Sequence, residues 1–184
     1  MRDEVNRESL LENASSQGGH QGEVMSEIVT NWFLNLAGVQ GDSDVQGFTK
    51  QITLTSFSLS VMSTANQPGT AAGKPVFTPA SLTMQGDSGG PQLVKGIING
   101  NPYTTAVVSG LKTIGGGPKL FVQLSFTGIY LTQVNPSMGD PGKLNINPFQ
   151  MYFSTIKFQF WKQQGNNLVQ TEPITYTIAK QKQD

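Results

Sequence analysis

The sequence predicts a mainly β fold, an antiparallel β-barrel of about seven strands with one short α-helix and an extended loop. Apolar residues recur with period two in several separate segments, Gly/Pro/Asn-rich connections divide those segments, and helical spacing fits one short internal stretch. A one-residue change of phase inside two of the longer segments adds that those strands bend, as strands of a barrel do.

Residues 1–27 are polar and rich in Gln, Gly and Ser after a short segment, residues 5–11, suited to one or two helical turns. They are expected to form a mobile extension ahead of a single domain at residues 28–184, with Met25 as an alternative start. From Ile28 the period becomes two, with Trp32, Leu34 and Leu36 on one side and Asn35 on the other. After a turn-rich stretch at residues 38–47, Ile52 and Leu54 share one parity while Phe57, Leu59 and Val61 share the opposite one. The slip at Thr55 and Ser56 predicts a β-bulge, because one extra residue turns every later side chain to the other face. The same signature between Met151/Phe153 and Ile156/Phe158/Phe160 predicts a second bulge at Ser154 and Thr155.

Leu120, Val122, Leu124 and Phe126 alternate with Gln123, Ser125 and Thr127, and Ile174, Tyr176 and Ile178 alternate with Thr175 and Thr177. Shorter strands are expected at residues 81–84 and 104–112, and Gly115-Gly116-Gly117 reads as a hairpin turn. The helix falls at residues 91–98, with Leu93, Val94 and Ile97 on one side, Pro91 suited to its start and Gly100 to its stop. Residues 135–147, rich in Pro and Gly, are expected to form a sizeable loop.

At 184 residues the chain suits one domain with a real core. Twelve basic and twelve acidic side chains cancel, so the overall field favours neither nucleic acid nor an acidic membrane surface as partner. Cysteine is absent and His20 is the single histidine, so no disulfide, metal or other cofactor is expected. No basic-then-apolar leader opens the sequence and no stretch approaches a membrane span, so the expected product is made in the cytoplasm and, if it leaves the cell, is carried without a signal peptide.

Gly86-Asp87-Ser88-Gly89-Gly90-Pro91 matches the nucleophile loop of chymotrypsin-like serine proteases letter for letter. A serine nucleophile needs a held histidine, and His20 lies in Gly-Gly-His-Gln-Gly within the extension. The order His20, then Asp42 or Asp44, then Ser88 suits that family, but the first two are too close in sequence to span its barrel. The same letters serve as a turn in which Asp87 or Ser88 caps exposed amides and Pro91 opens a helix, so no catalytic residue is assigned. Phe149, Tyr152, Phe153, Phe158, Phe160 and Trp161 suggest a stacking platform for sugars or bases, but their alternation fits core and subunit contacts better.

Between about Trp32 and Lys180 the order of features resembles the haemolysin-coregulated protein family, the inner-tube proteins of type VI secretion systems. The resemblance is carried by Phe33-Leu34-Asn35-Leu36-Ala37-Gly38-Val39-Gln40-Gly41, by Ile52-Thr53-Leu54-Thr55-Ser56-Phe57-Ser58-Leu59, and by a small-residue loop ending in Ala72-Gly73-Lys74. Ser81-Leu82-Thr83-Met84 follows, and Asp87 to Leu93 is similar to that family's Asp-x-x-x-Pro-x-Leu approach to its single helix. The resemblance implies a non-enzymatic subunit that forms homohexameric rings stacked into a tube. Its implied partners are a contractile sheath, spike and baseplate proteins, and secreted effectors. It also implies that Gly69, Thr70, Ala71, Ala72, Gly73 and Lys74 belong to a loop that contacts the next ring. The extension before Ile28 and residues 135–147 depart from the family pattern. A bacteriophage tail-tube or baseplate subunit, a carbohydrate-binding β-sandwich and a serine hydrolase using Ser88 are the alternatives.

Overall fold

The computed structural model describes residues 30–63, 73–138 and 144–178. In chain order the strands are β1 (Thr30–Leu36), β2 (Ile52–Ser58), β3 (Val61–Met62), β4 (Val76–Phe77) and β5 (Ala80–Met84). The helix α1 (Gly89–Asn99) follows, then β6 (Tyr103–Ile114), β7 (Gly117–Met138), β8 (Leu144–Tyr152), β9 (Thr155–Gln164), β10 (Asn167–Gln170) and β11 (Ile174–Thr177). The expected extension at residues 1–27 lies outside the described residues.

The expected antiparallel barrel with one short helix is the observed architecture. β7, β6, β1, β2, β5 and β8 pair in that order, and β8 returns to β7, so these strands close a ring. β7, at 22 residues, is long enough to serve two partners on one edge. Its residues 122–127 pair with β9 and its residues 130–138 with β8. β10 and β11 line the far edge of β9 and carry the sheet beyond the closed ring. Of the strands that flare from the barrel, β9 and β11 match the predicted alternation, and β10 is the one the sequence reading lacks.

Cross-strand rows show how the period of two becomes a core. Leu34 stands opposite Val108, Val108 opposite Leu124, and Leu124 opposite Phe158, and the first three are buried. One row further, Leu36, Ala106, Phe126 and Ile156 are also buried, and Phe126 meets Phe153 edge to face at 4.9 Å. Each large side chain so buried contributes about 1.5–3 kcal/mol. Phe33 points to the other face but is covered by Phe48, whose ring stacks on it at 4.8 Å.

The bulge predicted at Thr55 and Ser56 is present as a register shift between Leu54 and Ser56 in the pairing with β5. β2 ends at Ser58, however, and Val61 opens a separate strand instead of continuing it. The second predicted bulge is not one. Tyr130 pairs with Tyr152 and Thr127 with Thr155, so the same number of residues separates the pairs on both sides. The phase changes because both strands bend together: Gly128 adopts φ +61° and the Ser154 side chain fills the space that a Cβ there would need. Residues 135–147 are likewise no simple loop. Pro136, Ser137 and Met138 pair with Ile146, Asn145 and Leu144, and Pro136 and Pro148 are tolerated because the register shifts beside them. Residues 139–143 lie outside the described residues.

The turn at Gly115 and Gly116 has φ of +61° and +87°, the left-handed pair that a two-residue hairpin loop requires, and it joins β6 to β7. The helix starts two residues before the expected Pro91 and stops as expected, with Gly100 at φ +63° and its amide bonded to the Ile97 carbonyl at 3.2 Å. Leu93 is fully buried, which fixes the helix against the barrel.

Candidate assembly interface

Two surface features grow from this frame. The first is an arm between β2 and β5. β3 and β4 form their own antiparallel pair, Val61 opposite Phe77 and Met62 opposite Val76, apart from the main sheet. Phe77 anchors the arm, lying 5.2 Å from the Tyr176 ring and 5.9 Å from the Phe153 ring. Ser60 and Thr78 close its base, where the Thr78 amide donates to the Ser60 carbonyl and the Ser60 amide to Thr78 Oγ1. Val61, Met62 and Val76 nevertheless remain 51%, 52% and 45% exposed. Gly73 and Lys74 lead into β4, with Lys74 exposed, whereas Gly69, Thr70, Ala71 and Ala72 lie outside the described residues. The apolar pairs on either side of a Gly/Ala/Pro-rich stretch are a hairpin signal that the strand reading of Val61 obscured.

The second feature is a clasp at the start of α1. Asp87 is buried, and its Oδ1 accepts the Gly89 amide at 2.8 Å while its Oδ2 accepts the Asp42 amide at 3.3 Å. Of the two expected capping residues it is Asp87 that binds a helix amide, since the Ser88 side chain caps none. Burial pushes the Asp87 carboxyl above its ordinary pKa against the opposing pull of these amides. Asp42 in turn accepts the Ser88 hydroxyl at 2.5 Å and the Ser88 amide at 2.8 Å, and these bonds, the hydroxyl first, hold its pKa below the ordinary value. Gln92 completes the clasp. Its side-chain amide donates to the Gln40 carbonyl at 2.9 Å, and the Gln40 amide donates back to it at 3.2 Å.

This geometry reassigns the protease-like letters. In a Ser-His-Asp triad the carboxylate orients the histidine and the histidine receives the serine proton. Here Asp42 takes the serine hydroxyl itself, and His20 lies outside the described residues. A cavity of about 260 Å³ opens nearby, lined by Gly38, Val39, Gln92, Lys95, Gly96 and Tyr103 among others, and Ser88 does not line it. The Tyr103 hydroxyl occupies the space that a side chain at residue 96 would need, and burial pushes its pKa up. The aromatics divide: Phe149 and Phe153 are core, while Tyr152 and Phe160 are 52% and 41% exposed. No helix among the described residues is long and apolar enough to cross a membrane.

No curated protein sequence matches the chain. Solved structures share its fold. A type six secretion system protein superposes with a TM-score of 0.73 at 16% identity, covering 82% of this chain and 96% of its own. Hcp1 from Salmonella typhimurium gives 0.62 at 21% identity, covering 79% of this chain and 91% of its own. A double mutant of Hcp1 from the E. coli EAEC 042 pathovar gives 0.59 at 22% identity, covering 78% of this chain and 97% of its own. The family model described as "Type VI secretion system effector, Hcp" matches residues 33–165, the span from β1 through the turn after β9. The chain therefore belongs to the Hcp family of type VI secretion systems.

Proposed function

We propose that the chain is a structural, non-enzymatic subunit of a type VI secretion inner tube. It forms homohexameric rings that stack head to tail, a contractile sheath drives the tube outward from a spike and baseplate, and the lumen carries effectors. The observation that carries this reading is the family match through the whole barrel and helix. The arm supports it, because Val61, Met62 and Val76 hold apolar surface away from their own barrel at the base of a segment built from small residues. Residues 69–74 are the ring-to-ring contact in this reading, with Lys74 as a charged contact near the base. A heterologous contact of this kind repeats without closing and so builds a filament, whereas the contact within a ring closes on itself.

The test is a secretion assay in the native host. The protein is expected in the culture medium of wild-type cells and absent from the medium of cells lacking the sheath. Equal export from both strains would remove the tube reading.

A further inference from the structure

The face of the sheet that bears the core continues past the closed barrel onto β9, β10 and β11. Directly opposed residues of antiparallel neighbours share a face. Phe160 lies opposite Val122 and Phe158 opposite Leu124, so both belong to the core face, and Ile174 joins them opposite Phe158. Val169 stands opposite Lys162, one step beyond Phe160 on the same side of β9. Val122 and Leu124 are buried, yet Phe160, Val169 and Ile174 are 41%, 45% and 61% exposed. The Phe158 and Phe160 rings stack at 6.3 Å with 12° between their planes.

β1 enters the barrel at this mouth. Trp32, Gly110, Val122 and Phe160 form one row across the sheet, and Thr30 lies one step outward, opposite Lys112. The residue preceding Thr30 is thus joined to the chain three strands away from Phe160. Three inter-strand spacings to Phe160 amount to about 15 Å along the sheet and four to Val169 on β10 to about 20 Å, and residues 24–29 span about 20 Å when extended. Their sequence, Val24-Met25-Ser26-Glu27-Ile28-Val29, is apolar at both ends and follows Glu23. The mouth is basic. Lys112 donates to Gln163 Oε1 at 3.4 Å and Lys119 to the Asn166 carbonyl at 2.6 Å, both neutral acceptors, and Lys162 lies on the apolar face itself.

We propose that residues 24–29 of the same chain cover the outer part of this face, with Met25 against Phe160, Val24 against Val169, and Glu23 and Glu27 toward the lysines. The inference rests on the apolar flare, the point of entry of β1 and the charge match, and is independent of tube assembly.

The native chain has no cysteine, so introduced thiols report on proximity without background. Full-length protein carrying Met25→Cys and Phe160→Cys is oxidised as a mixture of isotopically labelled and unlabelled chains, and the disulfides are read by mass spectrometry. A control carries Met25→Cys and Lys157→Cys, which puts the second thiol on the opposite face of the same strand. A further pair, Val24→Cys and Val169→Cys, keeps Phe160 intact. The expected result is a disulfide within one chain that forms at least about tenfold faster than in the control, reflecting a raised effective concentration. Equal rates in the two arrangements, or disulfides that mainly join labelled to unlabelled chains because a second copy covers the face, would overturn the proposal.

Discussion

Asp42 Oδ1 accepts the Ser88 hydroxyl at 2.5 Å while its Oδ2 accepts the Ser88 amide at 2.8 Å, so one carboxylate ties the loop after β1 to the start of α1. Those bonds lower the Asp42 pKa below its ordinary 3.8, which means the folded state favours the charged form. A carboxyl whose pKa is lowered on folding adds stability above its unfolded pKa and loses it as pH falls through the folded value. Asp42→Asn should therefore lower the melting temperature at neutral pH, and the gap to the wild type should close below about pH 3.8. Asp87 has the opposite sign. Burial raises its pKa, so acidification from neutrality first adds stability through this group. The difference between wild type and variant isolates the clasp, and a gap that stayed constant down to about pH 3 would show that the Asp42 charge contributes nothing.

Ser88→Ala removes an exposed, solvent-screened hydrogen bond and should shift the midpoint of chemical denaturation only slightly. Because Asp42 and not a histidine takes its hydroxyl, the wild-type protein should not react with a fluorophosphonate probe. Stoichiometric labelling that disappears in the Ser88→Ala protein would restore the hydrolase reading.

Gly110 lies beneath Trp32, and a Cβ there would stand 2.7 Å from Val122 Cγ1 and 2.8 Å from the Trp32 ring. The indole covers the backbone because the glycine leaves room for it, at the point where Phe121 is inserted as an extra residue in β7. Gly110→Ala should destabilise the domain by about 1–3 kcal/mol through forced displacement of Trp32. An unchanged urea midpoint would mean that Trp32 moves aside freely.

Much of the barrel was legible because alternation survives wherever one face of a strand is buried, as at Leu34, Leu36, Leu124 and Phe126. The slip at Thr55 and Ser56 was legible for the same reason, since a real bulge moves the buried set to the other parity. The slip at Ser154 misled because a paired bend through Gly128 leaves the same trace in one strand, and only the partner strand reveals that no residue is extra. β10 escaped the sequence reading because Val169 lies on a face that is only partly covered, whereas the alternation of Ile174 and Tyr176 marked β11. The clasp was half legible. Asp42 and Ser88 were both singled out as parts of a catalytic set, and the structure brings them together as a brace between two surface segments. Nothing in local spacing reveals a contact across 46 residues.

Replacing residues 69–73 with bulky charged side chains should leave the subunit folded and the rings intact while abolishing stacking and export. The anchor of the arm, Phe77 against Phe153 and Tyr176, does not depend on the tip. Light scattering reads ring mass, and microscopy reads stacks. Long tubes with normal export would show that the arm is not the stacking contact, and loss of rings would place it within the ring.

Negative-stain electron microscopy of the purified full-length protein tests the assembly claim most directly. The expected images show sixfold rings with a central hole, joining into hollow tubes as the concentration rises. Monodisperse single subunits across a broad range of concentration would contradict it.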